Sequence, residues 1–197
     1  MENGFATPGR GRPTGRRSPG PRAGKPMNTV EETIDVAVPV HTAYNQWTQF
    51  ESFPRFMALV KDVEQLRPNL LRWVVGRGPL RHEFDVEIVE QVPDSHVAWR
   101  SLDRRFMHQG KVLFRAAAPE RTTVVARLDV SPAGMGLLAH LPGLAPRVVH
   151  AELVHFKEFI ESVGQEGGSW RGTIRNGHVY PVGPEPARSR VPRWPVG

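Results

Sequence analysis

Histidine is the side chain best suited to exchanging protons near neutral pH, so the histidines are weighed first. "HAELVH" (150–155) superficially resembles a zinc-binding helix, but His150 and His155 stand five residues apart. On an α-helix that spacing turns them about 140° from one another. A zinc helix of this kind needs His at i and i+4, with a Glu beside the first. No metal site follows. The stretch "AWRSLDRRFMHQGKVLF" (98–114) is denser, with Trp99, Ser101, His108 and the cations Arg100, Arg104, Arg105 and Lys111. It reads in three ways: a catalytic cluster, a nucleic-acid patch, or two strands whose inner face lines a cavity. Tyr44, Ser101, His108 and His140 are the polar candidates for acid–base work.

Other chemistries find little support. The chain has no cysteine, which excludes disulfides, thiolate metal sites and cysteine nucleophiles. "GRG" (76–78) and "GMG" (134–136) lack the strand-to-helix setting of a phosphate loop and read as turn glycines. No serine sits in a nucleophile elbow, and no pair of carboxylates shares an apolar face. Neither a metal nor an organic cofactor is expected.

The elements that must position these residues are legible. "TVEETIDVAV" (29–38) alternates as a strand, with Val30, Ile34, Val36 and Val38 on one parity. Pro39 then opens a helical stretch, "VHTAYNQWTQF", and Pro54 interrupts the short "ESFPRFM" that follows. Six strand-like runs come next: "LVKDVEQLR", "LLRWVVG", "LRHEFDVEIVEQV", "HVAWRSLD", "MHQGKVLFRAAA" and "TTVVARLDVS". Residues 146–163 form one long helical pattern whose stripe is Val149, Leu153, Phe156, Ile160 and Val163. Short turns make neighbouring strands antiparallel. The expected fold is therefore α+β: a curved, seven-stranded antiparallel sheet wrapped around a C-terminal helix, with two short helices after the first strand.

Alternation also separates the chemistry of the 98–114 stretch. Val97, Trp99 and Ser101 share one face, as do Gly110, Val112 and Phe114, while Arg100, Lys111 and Arg115 take the other. Phe84, Val86 and Ile88 oppose Glu83, Asp85 and Glu87 in the same way. The charged residues read as cross-strand partners on a solvated face. The stretch is wall rather than catalytic cluster, and its inward polar or small positions are Ser101, Gly110 and His108. Tyr44 and Trp47 read as core and staple residues of the first helix.

Charge has a location. Residues 1–27 carry +5, residues 28–165 carry −2 and residues 166–197 carry +3. The basic excess lies in the two ends, whereas a folded nucleic-acid reader carries it on the domain face. Residues 1–27, rich in Arg, Gly and Pro, are expected to be disordered, and an electrostatic tether to nucleic acid would act only through such tails. Residues 28–165 are expected to form the domain. Residues 166–197 are expected to be a mostly irregular extension, within which "SWRGTIRNGHVYPV" can make a hairpin. The N-terminus lacks a signal-peptide pattern apart from a superficial twin-arginine pair, Arg16–Arg17. The longest apolar-leaning run, "AGMGLLAHLPGLA", has 13 residues and is too short to span a bilayer. A cytoplasmic protein without a transmembrane segment is expected.

"IDVAVPVHTAYNQWTQFESFPRFMALVKDVEQL" resembles the opening of the START-type helix-grip superfamily: a strand, "PxxxxYxxW", then an aromatic–Pro–x–Phe–Met turn. "VAWRS", "GKVLF", "RTTVVARLDVSP" and "LVHFKEFIES" are similar to its bacterial polyketide cyclase/dehydrase and coenzyme-Q-binding branch. The resemblance runs from Val30 to Ser162 and takes in "SWRG" (169–172). It implies an apolar cavity between sheet and long helix that holds lipid, isoprenoid quinone or polyketide-like molecules. The cavity wall is then expected from Trp73, Phe84, Val86, Ile88, Trp99, Val112, Phe114, Leu128, Leu153 and Phe156. Polyketide aromatase/cyclases of the superfamily use an arginine on a central strand and a tyrosine after the first helices. Those positions fall near Ile88 and Val60 here, and both are apolar. That departure leaves three readings: a binding protein for a hydrophobic small molecule, a cyclase or dehydrase using His108, Tyr44 or Ser101, or a regulatory module with nucleic-acid-contacting tails.

Overall fold

The structure, a computed structural model, describes residues 28–131 and 144–181. The expectations placed on residues 1–27, His140, the "GMG" glycines and residues 182–197 lie outside the described residues.

Strand β1 runs Asn28–Val36. Pro39 caps helix α1, Val40–Trp47, with φ −58°, a helix start being where a missing N–H costs nothing. A 3₁₀ segment, Phe50–Arg55, accommodates Pro54. Then come β2 (Val60–Arg67), β3 (Leu70–Arg77), β4 (Leu80–Val92), β5 (His96–Ser101), β6 (His108–Ala118) and β7 (Arg121–Val130). Helix α2 spans Leu144–Val163. Two short strands follow, β8 (Thr173–Arg175) and β9 (His178–Tyr180). None of the described helices is long and apolar enough to cross a membrane.

The sheet is antiparallel in the order β1-β7-β6-β5-β4-β3-β2. β2 to β7 form the expected meander, and β1 pairs with β7 at its far edge. The sheet has nine strands rather than seven. Pairing of β3 with β4 ends at Leu70↔Glu87, which leaves that edge of β4 open beyond a bulge at Ile88/Glu90. The β8–β9 hairpin takes the vacant edge through Glu90↔Arg175 and Gln91↔Ile174. Its turn uses Asn176 and Gly177, with φ of 49° and 75°, the left-handed pair that a two-residue hairpin demands.

Alternation sets what each face carries. Val86, Ile88, Val97, Val112, Phe114 and Val124 are buried on the inner face. On the outer face, Arg72 pairs with Asp85 at 3.0 Å, Arg100 with Glu87 at 2.7 Å and Lys111 with Glu90 at 3.3 Å. Such partly exposed pairs contribute at most about 1 kcal/mol each. Register and burial, not ion pairs, hold the sheet.

Helix α2 buries Leu153, Phe156 and Ile160 against the inner face. Its apolar stripe stops at Ile160, since Val163, the last helical residue, is 44% exposed. Lys157 Nζ donates to the Asp35 carbonyl at 2.7 Å and to Glu161 at 2.6 Å, and Glu161 accepts the Ala37 N–H at 2.7 Å. Those bonds fix the helix to β1. The chain beyond α2 is tied back as firmly. Arg171 makes a bidentate pair with Asp94 at 2.7 and 2.6 Å and also donates to Asn45 Oδ1 at 3.1 Å. Ile174 is fully buried.

If this hairpin is part of the core, Ile174→Ala should lose about 2–5 kcal/mol, the usual cost of truncating a buried aliphatic side chain. Urea unfolding at unchanged m-value measures it. A change within error of zero would show that the hairpin is only surface dressing.

Candidate functional site

Helix α2 covers only part of the concave face. Between its first half, the 3₁₀ segment and the sheet lies a cavity of about 270 Å³. Its sheet wall comprises Leu71, Trp73, Val75, Phe84, Val86, Ile88, Trp99, Val112, Ala126, Leu128 and Val130. Val148, Val149, Glu152 and Leu153 form the helix side, and Trp47, Phe50, Phe53 and Met57 close a third side. Phe106, His108 and Arg127 complete the lining.

One cross-strand row explains how the wall is shaped. Ile88, Trp99, Gly110 and Leu128 lie opposite one another on four adjacent strands. A Cβ on Gly110 would sit 2.3 Å from Trp99 Cζ2, so only glycine lets the indole lie across β6. Gly110 therefore marks a close approach, not a bulge.

Of the ten residues expected on a ligand wall, Trp73, Phe84, Val86, Ile88, Trp99, Val112, Leu128 and Leu153 line this cavity. Phe114 and Phe156 do not. Phe114 packs on Tyr44 and Trp47 at centroid distances of 5.6 and 6.2 Å, and Phe156 packs on Trp47 and Phe56 at 5.0 and 5.6 Å. Trp47 lines the cavity and touches both rings, so the two phenylalanines back it from the solid part of the core. Strand and helix parity reports which face a residue takes, not how far along that face the hollow extends.

The polar candidates separate too. His108 lines the cavity, with its ring against Phe84 at 5.1 Å and Phe106 at 5.0 Å. Its Nδ1 lies 3.1 Å from the Phe106 carbonyl. A carbonyl only accepts, so Nδ1 carries the proton and neutral His108 keeps Nε2 as an acceptor. Burial is the main cause that holds its pKa below the usual histidine value, against an opposing contribution from the Phe106 carbonyl. Ser101 is absent from the wall. Its Oγ donates to the same Phe106 carbonyl at 2.8 Å and accepts the His108 N–H at 3.1 Å. It pins the loop that presents His108.

Tyr44 also lies away from the cavity. Helix α1 buries it completely against Phe114 and under the Arg171 guanidinium, 5.9 Å above its ring. Burial pushes its phenol up to about 12, with the nearby Gln91 amide opposing. It is neutral at any physiological pH and serves as core. His150 and His155 turn to different acids, Glu32 at 3.2 Å and Glu152 at 3.6 Å. No cluster of three metal-binding side chains occurs among the described residues.

Two polar groups of the wall escape sequence reasoning. The Trp73 ring lines the cavity, and its indole N–H is buried without a partner. Glu152 also faces the cavity, yet its carboxylate accepts the Ala58 and Leu59 N–H groups at 2.9 and 3.3 Å. It fastens α2 to the loop before β2 and is not a free base. Phe106 and Met57 were missed as well, because they lie outside regular elements, where no periodicity marks a face. Among the described residues the site is thus a mostly apolar hollow whose polar members are the Trp73 ring, with its unpaired buried N–H, His108, Glu152 and Arg127.

Residues 36–158 match the model of the family described as polyketide cyclase/dehydrase and lipid transport. An uncharacterized 17.2 kDa protein of Streptomyces lincolnensis, from the melC2-rnhH intergenic region, is 43% identical over 149 residues, 75% of this chain and 99% of its own. Among solved structures, a START superfamily protein from Mycobacterium smegmatis superposes with a TM-score of 0.54 at 19% identity, over 68% of this chain and 95% of that one. The di-domain ARO/CYC StfQ of the steffimycin biosynthetic pathway superposes with a TM-score of 0.56 at 18% identity, over 70% of this chain and 52% of that one. These two likenesses establish the fold as START-like.

Because His108 is depressed by burial, the unfolded chain takes up its proton first as pH falls. Stability is then intact above about pH 6.5 and declines below it. His96, lowered chiefly by burial, acts in the same direction. Imidazole ¹⁵N NMR should show His108 protonated on Nδ1 and titrating below the usual histidine value. A His108→Phe variant should lose less stability than wild type between about pH 7 and 5. An Nε2–H tautomer, or a midpoint above about 6.5, would refute this assignment.

Proposed function

As the chain belongs to the polyketide cyclase/dehydrase and lipid transport family, we propose that it binds a hydrophobic small molecule in this cavity. The molecule has a compact, mostly apolar body that carries oxygen. The observation that supports this most strongly is a mostly apolar lining that includes the Trp73 ring, whose buried indole N–H has no partner. A buried donor without a partner costs about 1–3 kcal/mol, and a carbonyl or phenolic oxygen on a guest would recover much of that. The lone acceptor on His108 suits a hydroxyl on the same guest. At about 270 Å³ the hollow lies just below the usual ~300–1,000 Å³ range of ligand sites. That size favours a ring system over a long isoprenoid or acyl chain. Quinone-like and polyketide-like molecules fit this description; a plain hydrocarbon leaves Trp73 unsatisfied.

The His108 tautomer supports a second reading, a cyclase or dehydrase. A neutral imidazole with a free Nε2 in a low-dielectric wall can take a proton from carbon next to a guest carbonyl and return it to oxygen. The ARO/CYC activity carried in the StfQ name is consistent with that chemistry. Among the described residues neither Tyr44 nor Ser101 lies at the cavity to serve as its partner.

1-Tetralone and tetralin differ only in one carbonyl and test the binding reading directly. Tetralone should quench tryptophan fluorescence saturably and bind more tightly than tetralin. Trp73→Phe should weaken tetralone by roughly five- to tenfold, the equivalent of one hydrogen bond of about 1–1.5 kcal/mol, and leave tetralin unchanged. Val112→Trp should abolish binding of both without lowering the melting temperature. If that variant is instead destabilised by about 1–3 kcal/mol, as overpacking a solid core would be, and neither compound binds wild type, the interior is packed and the reading is wrong.

A further inference from the structure

The half-buried lining residues Val75, Phe106, Val148 and Val149 mark the mouth of the apolar cavity, while Trp47, Ile88 and Leu153 are buried deeper in it. Four exposed arginines stand beside these mouth residues. Arg104 and Arg105 precede Phe106, and Arg147 precedes Val148. Arg81 is the neighbour of His82, which pairs with Val75 across the strands and rests on the Phe106 ring at 5.1 Å. Arg72, Arg100 and Arg127 pair with acids; none of these four does so among the described residues. The acids closest to them in the chain are already engaged. Asp103 accepts the Arg105 N–H at 2.7 Å and lies 3.5 Å from His82 Nε2, and Glu83 reaches Arg72 at 3.4 Å. Helix α2 begins just before Val148 with no acid in its first turn, so the positive end of its dipole adds to the same field. Residues 28–165 as a whole carry −2, so the cationic mouth is a segregation of charge and not general basicity.

The loop between β5 and β6 adds an apolar element. Leu102 is 50% exposed, although its backbone is fixed by donation of its N–H to the Asp85 carbonyl at 2.8 Å. A leucine held at the surface beside unpaired guanidinium groups matches a bilayer interface, where the apolar side chain enters and the cations meet lipid phosphates. An acidic protein would satisfy the arginines but would give Leu102 no apolar medium. An apolar guest also concentrates in a bilayer, so a mouth set against that surface is placed to exchange it.

We propose that the mouth of the cavity docks on an anionic membrane surface through Arg81, Arg104, Arg105 and Arg147, with Leu102 entering the interface. The use of this mouth as a guest's entrance rests on the binding reading above. Docking itself needs no guest, so the two can fail separately. The chain has no cysteine, so Leu102→Cys in the full chain takes a single NBD fluorophore at the mouth. Ala118→Cys places the same label at the β6–β7 turn, the opposite end of those strands. Phosphatidylcholine vesicles with about 30% phosphatidylglycerol, in about 0.1 M salt, should brighten the label at 102 and leave that at 118 unchanged. Pure phosphatidylcholine should change neither. Arg104→Glu/Arg105→Glu should weaken vesicle binding roughly tenfold or more, and Arg115→Glu/Arg121→Glu, the same charge change at the far end, by less than about threefold. The basic tail is present in every variant and cancels from the comparison. No vesicle binding, equal weakening by the two pairs, or binding with a silent label at 102 would each overturn the proposal. So would a response at 102 to soluble polyglutamate but not to vesicles, the mark of an acidic protein partner.

Discussion

The fold depends on one geometric constraint: a curved antiparallel sheet presents more concave apolar surface than one helix can cover. Aromatic residues fill the difference at one end only. Trp47 stands at the boundary, with Phe114 and Phe156 at 6.2 and 5.0 Å on its packed side and the cavity, which it lines with Phe53 at 5.4 Å, on the other. Edge-to-face pairs of this kind contribute about 0.5–1.5 kcal/mol each beyond area burial. The solid end of the core therefore supports the hollow end, where contacts are forgone.

The devices that keep the hollow open are backbone devices. Gly110 lets Trp99 lie flat across its neighbouring strand. Glu152 holds α2 against the loop before β2 through two backbone N–H groups. Ser101 and His108 share the Phe106 carbonyl and so fix the loop at the far wall. The last two use polar groups to set a distance, and all three leave the cavity surface mostly apolar. The exceptions, the Trp73 N–H and the His108 acceptor, give a guest its orientation rather than its affinity, the usual division of labour in small-molecule sites.

Strand identity and facing were legible because period-two alternation runs through most of β1 to β7, broken at bulges in β2, β4 and β6, and it put Trp73, Val86, Trp99, Val112 and Leu128 on the inner face. The extra strands were less so. β8 and β9 have three residues each, too few for a pattern, although "RNG" carried the turn. Depth along a face was not legible at all. Phe114 shares its parity with Val112 yet lies beyond the cavity, and Phe156 sits on the stripe of Leu153 yet faces Trp47. Tyr44 was legible as a core residue of the first helix, but not that Arg171, from the chain beyond α2, lies over its ring. The unpaired state of Trp73 depends on every neighbour at once, which no local pattern encodes.

The central claim is that the interior holds an open apolar chamber bounded by Trp47, Trp99, Val112 and Leu153. Apolar cavities of this kind stay dry and admit xenon. A crystal of the full chain pressurised with xenon measures this most directly. The account predicts a well-occupied xenon site in contact with those four side chains and no displacement of the sheet. Xenon absent there while present elsewhere, or side chains collapsed into the space, would contradict it.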